Sequence, residues 1–481
     1  ATMATLPIII GLGTDFGVQF HNRYEEEFSK TKSNEQSITN ALGAMGPAVG
    51  IALIVMIFAF LTMFLSKAPM MQQFGLTLAI GVAVSYVVEL VMMFSTLSLM
   101  YKKPKQQAIA KPSKISVWLS IYARFVMKHA KIITLVGIIL AAIGFSMESK
   151  IPVETNMTKL IPQDMTALKN TTYLQKQVGS TTYLTCLVKD DDVRDKSTLQ
   201  DIKKFAYKED SRYNGIVGVS TLESTYRQTS GSLTNQSQSQ INSGISQLPS
   251  TIKTTMLTSN NHYTMVQFKV KKSYSTEQEQ TLMKNINKDL KHDDTHLNIS
   301  SAGTQNMMIT GVSNMTANHG LIIVLGLAII AVVLLLLYHK IRLAILPLFP
   351  IAIVLGLSPL TLHLLGESYN PLTIALSSLV LGIGTEFTIL ILERFHEEQR
   401  LGKQVQDSMV SAVSNVGQAI TASGLTVVGG FAALIFVNFP VISSFGLITV
   451  LDTLYSLISA LTILPAITAL LYSKAKNKKA K

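Results

Sequence analysis

Residues 11–27, GLGTDFGVQFHNRYEEE, return without a gap 371 positions later as GIGTEFTILILERFHEE at 382–398. Seven of the seventeen positions are identical: Gly11/Gly382, Gly13/Gly384, Thr14/Thr385, Phe16/Phe387, Arg23/Arg394, Glu26/Glu397 and Glu27/Glu398. Each copy sets a carboxylate, Asp15 or Glu386, inside a run apolar enough to lie in a bilayer. A membrane-embedded acid is expensive to keep, so its default reading is a functional site. The same offset holds at Gly46/Gly417, Ala48/Ala419, Phe60/Phe431, Pro69/Pro440, Phe74-Gly75-Leu76/Phe445-Gly446-Leu447 and Ser85/Ser456. One register held from Gly11 to Ser85 predicts that three spans within 1–100 are duplicated at 371–472. Parallel repeats of this kind place the working site at their interface in many transporters.

Apolar residues make up 48% of the chain and charged residues only 15%. A bilayer core about 30 Å thick takes about 20 apolar residues as a helix. By that rule spans are expected near 1–20, 44–66, 74–100, 131–147, 320–338, 342–365, 371–392, 413–437 and 441–472. The expected fold is therefore a polytopic α-helical membrane protein with a parallel internal repeat of spans and one large polar insert. Its parts are 1–100, first-repeat spans; 101–130, a basic connector; 131–147, a span; 148–318, the external insert; 319–472, five spans; and 473–481, a basic tail.

The net charge of +12 does not point to nucleic acid, because of where it sits. Segment 101–131 holds eight Lys/Arg and no acid, and 473–481 holds five Lys. Basic loops gather on the cytoplasmic side. An even number of spans separates the two segments, and the same parity puts His339–Arg342 inside and 148–318 outside. Segment 113–128, with the only tryptophan, Trp118, reads as an interfacial helix on the inner leaflet. Ala1 follows no Met and already lies in an apolar run, so a fragment of a longer chain is expected. If the first repeat once had the prelude of the second, roughly 240 residues precede it, by the distance from 131 to 371. Cys186 is the single cysteine, which excludes an intrachain disulfide.

The insert has strand-like runs at 182–189, 214–221, 263–271 and 295–301, with helix-like stretches at 197–207 and 275–291. A strand-helix-strand unit occurring twice suggests an α+β split βαβ, ferredoxin-like module. Between the units, 229–252 reads either as a loop or as a polar helical projection.

Asp15 and Glu386 are the expected proton sites. Burial disfavours the charged carboxylate, so occupancy can alternate with access, and two facing acids couple to each other. Asp452 and Glu89 are also intramembrane but unduplicated, matching Gly81 and Ala460. Either acid extends the relay or only bonds a nearby hydroxyl. Thr14, Thr385, Thr421 and Thr426, with Ser423 and Gln418, either support the relay or bond their own helices. Arg23 and Arg394 read as solvated helix ends anchoring the inner surface. No phosphate loop, paired Cys/His spacing or nucleophile elbow is present, so neither a cofactor nor an enzyme activity is expected.

With its repeated G-x-G-T-[DE]-F motif and span–domain–span order, the chain resembles the resistance-nodulation-division superfamily over essentially all of 1–472. The nearest likeness is to the MMPL and archaeal-type hydrophobe/amphiphile exporters. The resemblance implies that Asp15 and Glu386 sit on the proton-relaying spans and that 148–318 is a porter-type domain. Related MMPL proteins place Asp-Tyr at both sites, whereas the pairs here are Asp15-Phe16 and Glu386-Phe387. No membrane lysine matches that of the drug-exporting branch. The expected function is proton-motive-force-driven export or membrane-to-surface transfer of hydrophobic or amphiphilic molecules, lipids first. The expected partners are that cargo, protons and membrane lipids, and assembly as a homo-oligomer stays open. Rival readings are a lipid- or sterol-sensing regulator and an accessory subunit for protein translocation.

Overall fold

The computed structural model describes residues 2–100, 113–154, 157–178, 182–271, 274, 276–291, 297–307, 310–311, 319–370 and 372–478. The first part of the expected connector, 101–112, and the last residues of the tail, 479–481, lie outside the described residues. The chain divides into two units, 1–154 with 314–481, and 155–313.

Among the described residues, the first unit has ten principal helices. They are α1 (Thr2–Thr31), α2 (Asn34–Leu61), α3 (Pro69–Met100), α4 (Lys114–Lys128), α5 (Ala130–Glu148), α6 (His319–Tyr338), α7 (Leu348–Leu365), α8 (Leu376–Arg400), α9 (Val405–Ile435) and α10 (Pro440–Lys478). Among the described residues, eight helices are long and apolar enough to cross a membrane: α2, α3 and α5 to α10. The ninth expected span, 1–20, falls on α1. That helix is continuous through the motif, but its apolar run is interrupted by Asp15 and gives way to polar residues from Gln19 onward. Prolines at equivalent places, Pro69 and Pro440, open α3 and α10, where a missing N–H is tolerated. Gly366, at φ 68°, ends α7 in the left-handed conformation that glycine adopts without penalty.

α8 is the central helix, buried along nearly its whole length. Val380, Leu381 and Ile389 on α8 pack with Ala52 and Val55 of α2, Ile330 of α6 and Ile351 of α7. By contrast α3, α5 and α6 turn Val84, Val87, Val88, Ile132, Leu135, Val324 and Leu336 outward, as a surface bathed in lipid requires. α1 packs on α9 while α8 packs on α2. The close approaches also match: a Cβ at Gly13 would lie 3.3 Å from Ser85 Oγ, and one at Gly384 would lie 3.4 Å from Ser456 Oγ. Small residues at those positions let the helix backbones come together. α4 is capped by Ser113, whose side chain accepts from the Ser116 amide. It buries Leu119, Ala123 and Val126 and leaves Trp118, Ile121 and Phe125 exposed, the division of faces expected of an interfacial helix.

The second unit holds a four-stranded sheet of β1 (Tyr183–Lys189), β2 (Ile216–Ser220), β3 (Tyr263–Val270) and β4 (Asn298–Ala302). The strand order is β2-β3-β1-β4 and every neighbouring pair is antiparallel. Helix Lys196–Arg212 lies between β1 and β2 in sequence, and helix Thr276–Lys291 between β3 and β4. Strand alternation points Leu184, Cys186, Val188, Val266, Phe268 and Val270 to one face, where they meet Ile202, Phe205, Leu282 and Ile286 of those helices. Within 229–252 the chain forms helix Gln238–Ser246 and begins helix Ser250–Met256. This segment packs down rather than projecting, because Leu233, Ile241, Ile245 and Leu248 bury against Leu199, Leu222 and Tyr226.

Candidate functional site

Both motif acids are fully buried. Asp15 sits mid-way along α1, and its Oδ1 accepts a hydrogen bond from Gln19 Nε2 at 3.3 Å. The same Gln19 nitrogen lies 3.4 Å from Ser423 Oγ on α9. Among the described residues, Asp15 Oδ2 has no hydrogen-bond partner, and neither has either oxygen of Glu386 on α8. Glu386 lies within electrostatic reach of Asp15. The ring of Phe16 packs edge-on against Tyr86 of α3 with centroids 5.6 Å apart.

Glu89 is half-buried on α3 beside Gly17, where an added Cβ would stand 2.8 Å from Glu89 Oε2. Gly17 is two residues past Asp15, about 200° round α1 at 3.6 residues per turn, so Glu89 meets a different face of that helix. Asp452 is held elsewhere: its Oδ2 accepts from Ser358 Oγ of α7 at 2.8 Å, and it meets α8 near Val380 and Ile383. The site thus brings together Asp15 and Glu386, while Glu89 lies beside Gly17 on α3 and Asp452 is tied to a hydroxyl on α7.

The four threonines do not join it. Thr14 is exposed and donates to Gly11 O and Ile10 O, and Thr385 is buried and donates to Leu381 O and Gly382 O. Thr421 donates to Gly417 O and Thr426 to Ala422 O. Each hydroxyl is satisfied by its own helix, a common use of threonine there. The hydroxyl that does face the pair's polar contacts is Ser423. Gln19, not singled out from sequence, is the principal addition, and its signal was its place one turn after Asp15.

A second correction concerns the arginines. Arg23 and Arg394 are not solvated anchors; each is only 9% exposed. Arg23 Nη2 lies 2.8 Å from Glu397 Oε1, and Arg394 Nη2 lies 3.0 Å from Glu26 Oε1. Each arginine also pairs along its own helix, Arg23 with Glu26 and Glu27, and Arg394 with Glu397 and Glu398. The ends of α1 and α8 are therefore stitched by a reciprocal ionic cross. Around it a vestibule of about 580 Å³ opens between α1, α2, α4, α8 and α9.

Buried acids on two motif helices, within a multi-helix membrane unit, agree with what comparison of whole sequences finds. The MMPL family model matches residues 1–143 and 192–481. The chain belongs to the MMPL family. Membrane protein MJ1562 of Methanocaldococcus jannaschii is 23% identical over 357 residues, 72% of this chain and 92% of that protein. The mycolic acid-containing lipids exporter MmpL11 of Mycolicibacterium smegmatis is 30% identical over 107 residues, 22% of this chain and 11% of its own. Transport protein MmpL12 of Mycobacterium tuberculosis is 33% identical over 95 residues, 20% of this chain and 8% of its own. The matches to these mycobacterial MMPL proteins thus span about a tenth of their length. As an MMPL protein the chain is a multi-pass membrane protein of a transporter family.

Proposed function

We propose that this MMPL protein is a proton-driven exporter of hydrophobic or amphiphilic molecules, lipids foremost. The observation that carries the reading is the pair Asp15 and Glu386, two fully buried carboxylates on helices that share one motif, with three of their four oxygens unpartnered. An acid so placed is neutral when it holds a proton and strongly disfavoured when it does not. Proton binding and release would change which packing of α1 against α9, and of α8 against α2, is preferred. In this reading the helix sets at 1–100 and 371–472 are parallel repeats that rock against each other, and the four-stranded unit is the porter-type module through which cargo passes. The lipid cargo named for MmpL11 supports the choice of lipids over polar solutes.

The test is gradient-driven efflux of a fluorescent lipid from proteoliposomes. Glu386→Gln and Asp15→Asn are each expected to lower it by about 10²-fold or more, the scale of losing a proton-transfer group. Undiminished efflux in Glu386→Gln would leave the sensor reading as the better one.

A further inference from the structure

The vestibule has a floor whose residues come in equivalent pairs. Along α1 its first lining residue is Gln19 and along α8 it is Leu390, which match at the 371-residue offset; Ala48 and Ala419 form a second such pair. Gln19 and Leu390 are both buried, at 1% and 2% exposure. Each stands four residues from its acid, about 6 Å along the helix at 1.5 Å per residue. The two positions share geometry and differ in chemistry. Gln19 donates to Asp15 Oδ1 and reaches Ser423, so a polar side chain links the acid to the vestibule. Leu390 offers only methyl groups at the matching place, and Glu386 has no hydrogen-bond partner among the described residues.

We propose that the acid pair exchanges protons with this vestibule through Asp15 alone. Gln19 is the positioning residue that holds the Asp15 carboxyl toward the vestibule and swings aside to admit water, and Leu390 is the apolar seal over Glu386. The proton leaves an Asp15 carboxyl oxygen for a water molecule entering from the vestibule and is carried off as hydronium; the Gln19 amide neither gains nor loses a proton. Basic segments 113–131 and 473–478 put this end of the bundle on the cytoplasmic side. Of the ionisable groups on the packed helices, Glu386 of α8 acts on Asp15, while Glu89 of α3 stands beside Gly17, about 200° round α1 from Asp15. The other packed helices bring none near: α2 carries only Glu35 in its first turn and α9 only Asp407 in its own. The inference rests on reading the two acids as proton sites, but it concerns access and not transport.

The experiment is therefore residue-resolved labelling by a water-soluble carbodiimide, read by peptide mass spectrometry, in inside-out membrane vesicles holding the whole chain. Asp15 is expected to label at least about tenfold faster than Glu386, a modest local-opening difference. Gln19→Leu should suppress Asp15 labelling, and Leu390→Gln should raise Glu386 labelling toward the Asp15 rate. Exposed Glu25 serves as the control for folding and reagent access, and its rate should be the same in all variants. Equal labelling of the two acids in the unaltered chain overturns the proposal, as does a Gln19→Leu variant with normal Glu25 and undiminished Asp15 labelling. If efflux survives Glu386→Gln while labelling stays asymmetric, the exporter reading falls and the route stands. Lost efflux with symmetric labelling does the reverse.

Discussion

Asp15, Glu386 and Asp452 are three buried acids with three different surroundings. Asp452 has a built partner in Ser358, so removing that hydroxyl leaves a buried acceptor unmatched. Ser358→Ala is expected to lower stability by about 1–3 kcal/mol, the cost of an unsatisfied buried polar group. Unfolding in mixed detergent micelles would measure it, and an unchanged midpoint would show that the bond contributes nothing. Which residues matter was only partly legible from the sequence. Identity between the two copies selected Thr14 and Thr385, yet both hydroxyls bond their own helices, since identical positions here record shared packing. The informative position was the mismatch Gln19/Leu390, where equal geometry carries unequal chemistry. No periodicity or composition argument reveals a hydrogen bond from Gln19 to Asp15, because it depends on rotamers fixed by α9.

At the scale of elements, the ionic cross holds α1 and α8 together at one end. Arg23 faces three carboxylates while only 9% exposed, so Arg23→Ala leaves several negative charges facing one another. We expect a loss of about 2–3 kcal/mol, below the range for a fully buried pair because Glu397 is 40% exposed. A double-mutant cycle of Arg23→Ala with Glu397→Ala should return a coupling of about 1 kcal/mol or more, since residues in one network are not additive. Lys30, 54% exposed, is a different case despite contacts of 2.9 Å to Glu26 and Glu27. Its truncation is expected to cost less than about 1 kcal/mol. Span positions were legible because about 20 apolar residues admit few alternatives. The cross was not, since partners 374 residues apart leave no local trace.

For the whole molecule, the second unit has a core of its own, closed over Cys186 on β1. Burial, reinforced by nearby Glu209, pushes that thiol up to about 12. The folded unit therefore holds the proton more tightly than the unfolded chain, whose thiol ionises near pH 8.5. Its contribution to stability is complete below that pH and is lost as the pH rises toward 12. At pH 8 Cys186 should resist maleimide until denaturant opens the unit and then react fully. Rapid reaction without denaturant would show that the sheet does not close over it. The central strands β1 and β3 were legible from alternation because each buries every second residue, whereas 229–252 was not, its packing depending on distant Leu199 and Tyr226.

The reciprocal pairing of Arg23 with Glu397 and Arg394 with Glu26 is one contact made twice, with the roles exchanged. That is the grammar of an isologous surface, in which a patch recognises its own copy across a two-fold axis. A single helix of this kind already carries both halves of the recognition, cation and anion, four residues or fewer apart. Two separate copies could therefore have mated before one chain joined them. The intramolecular clasp thus has the self-complementary form of an isologous interface.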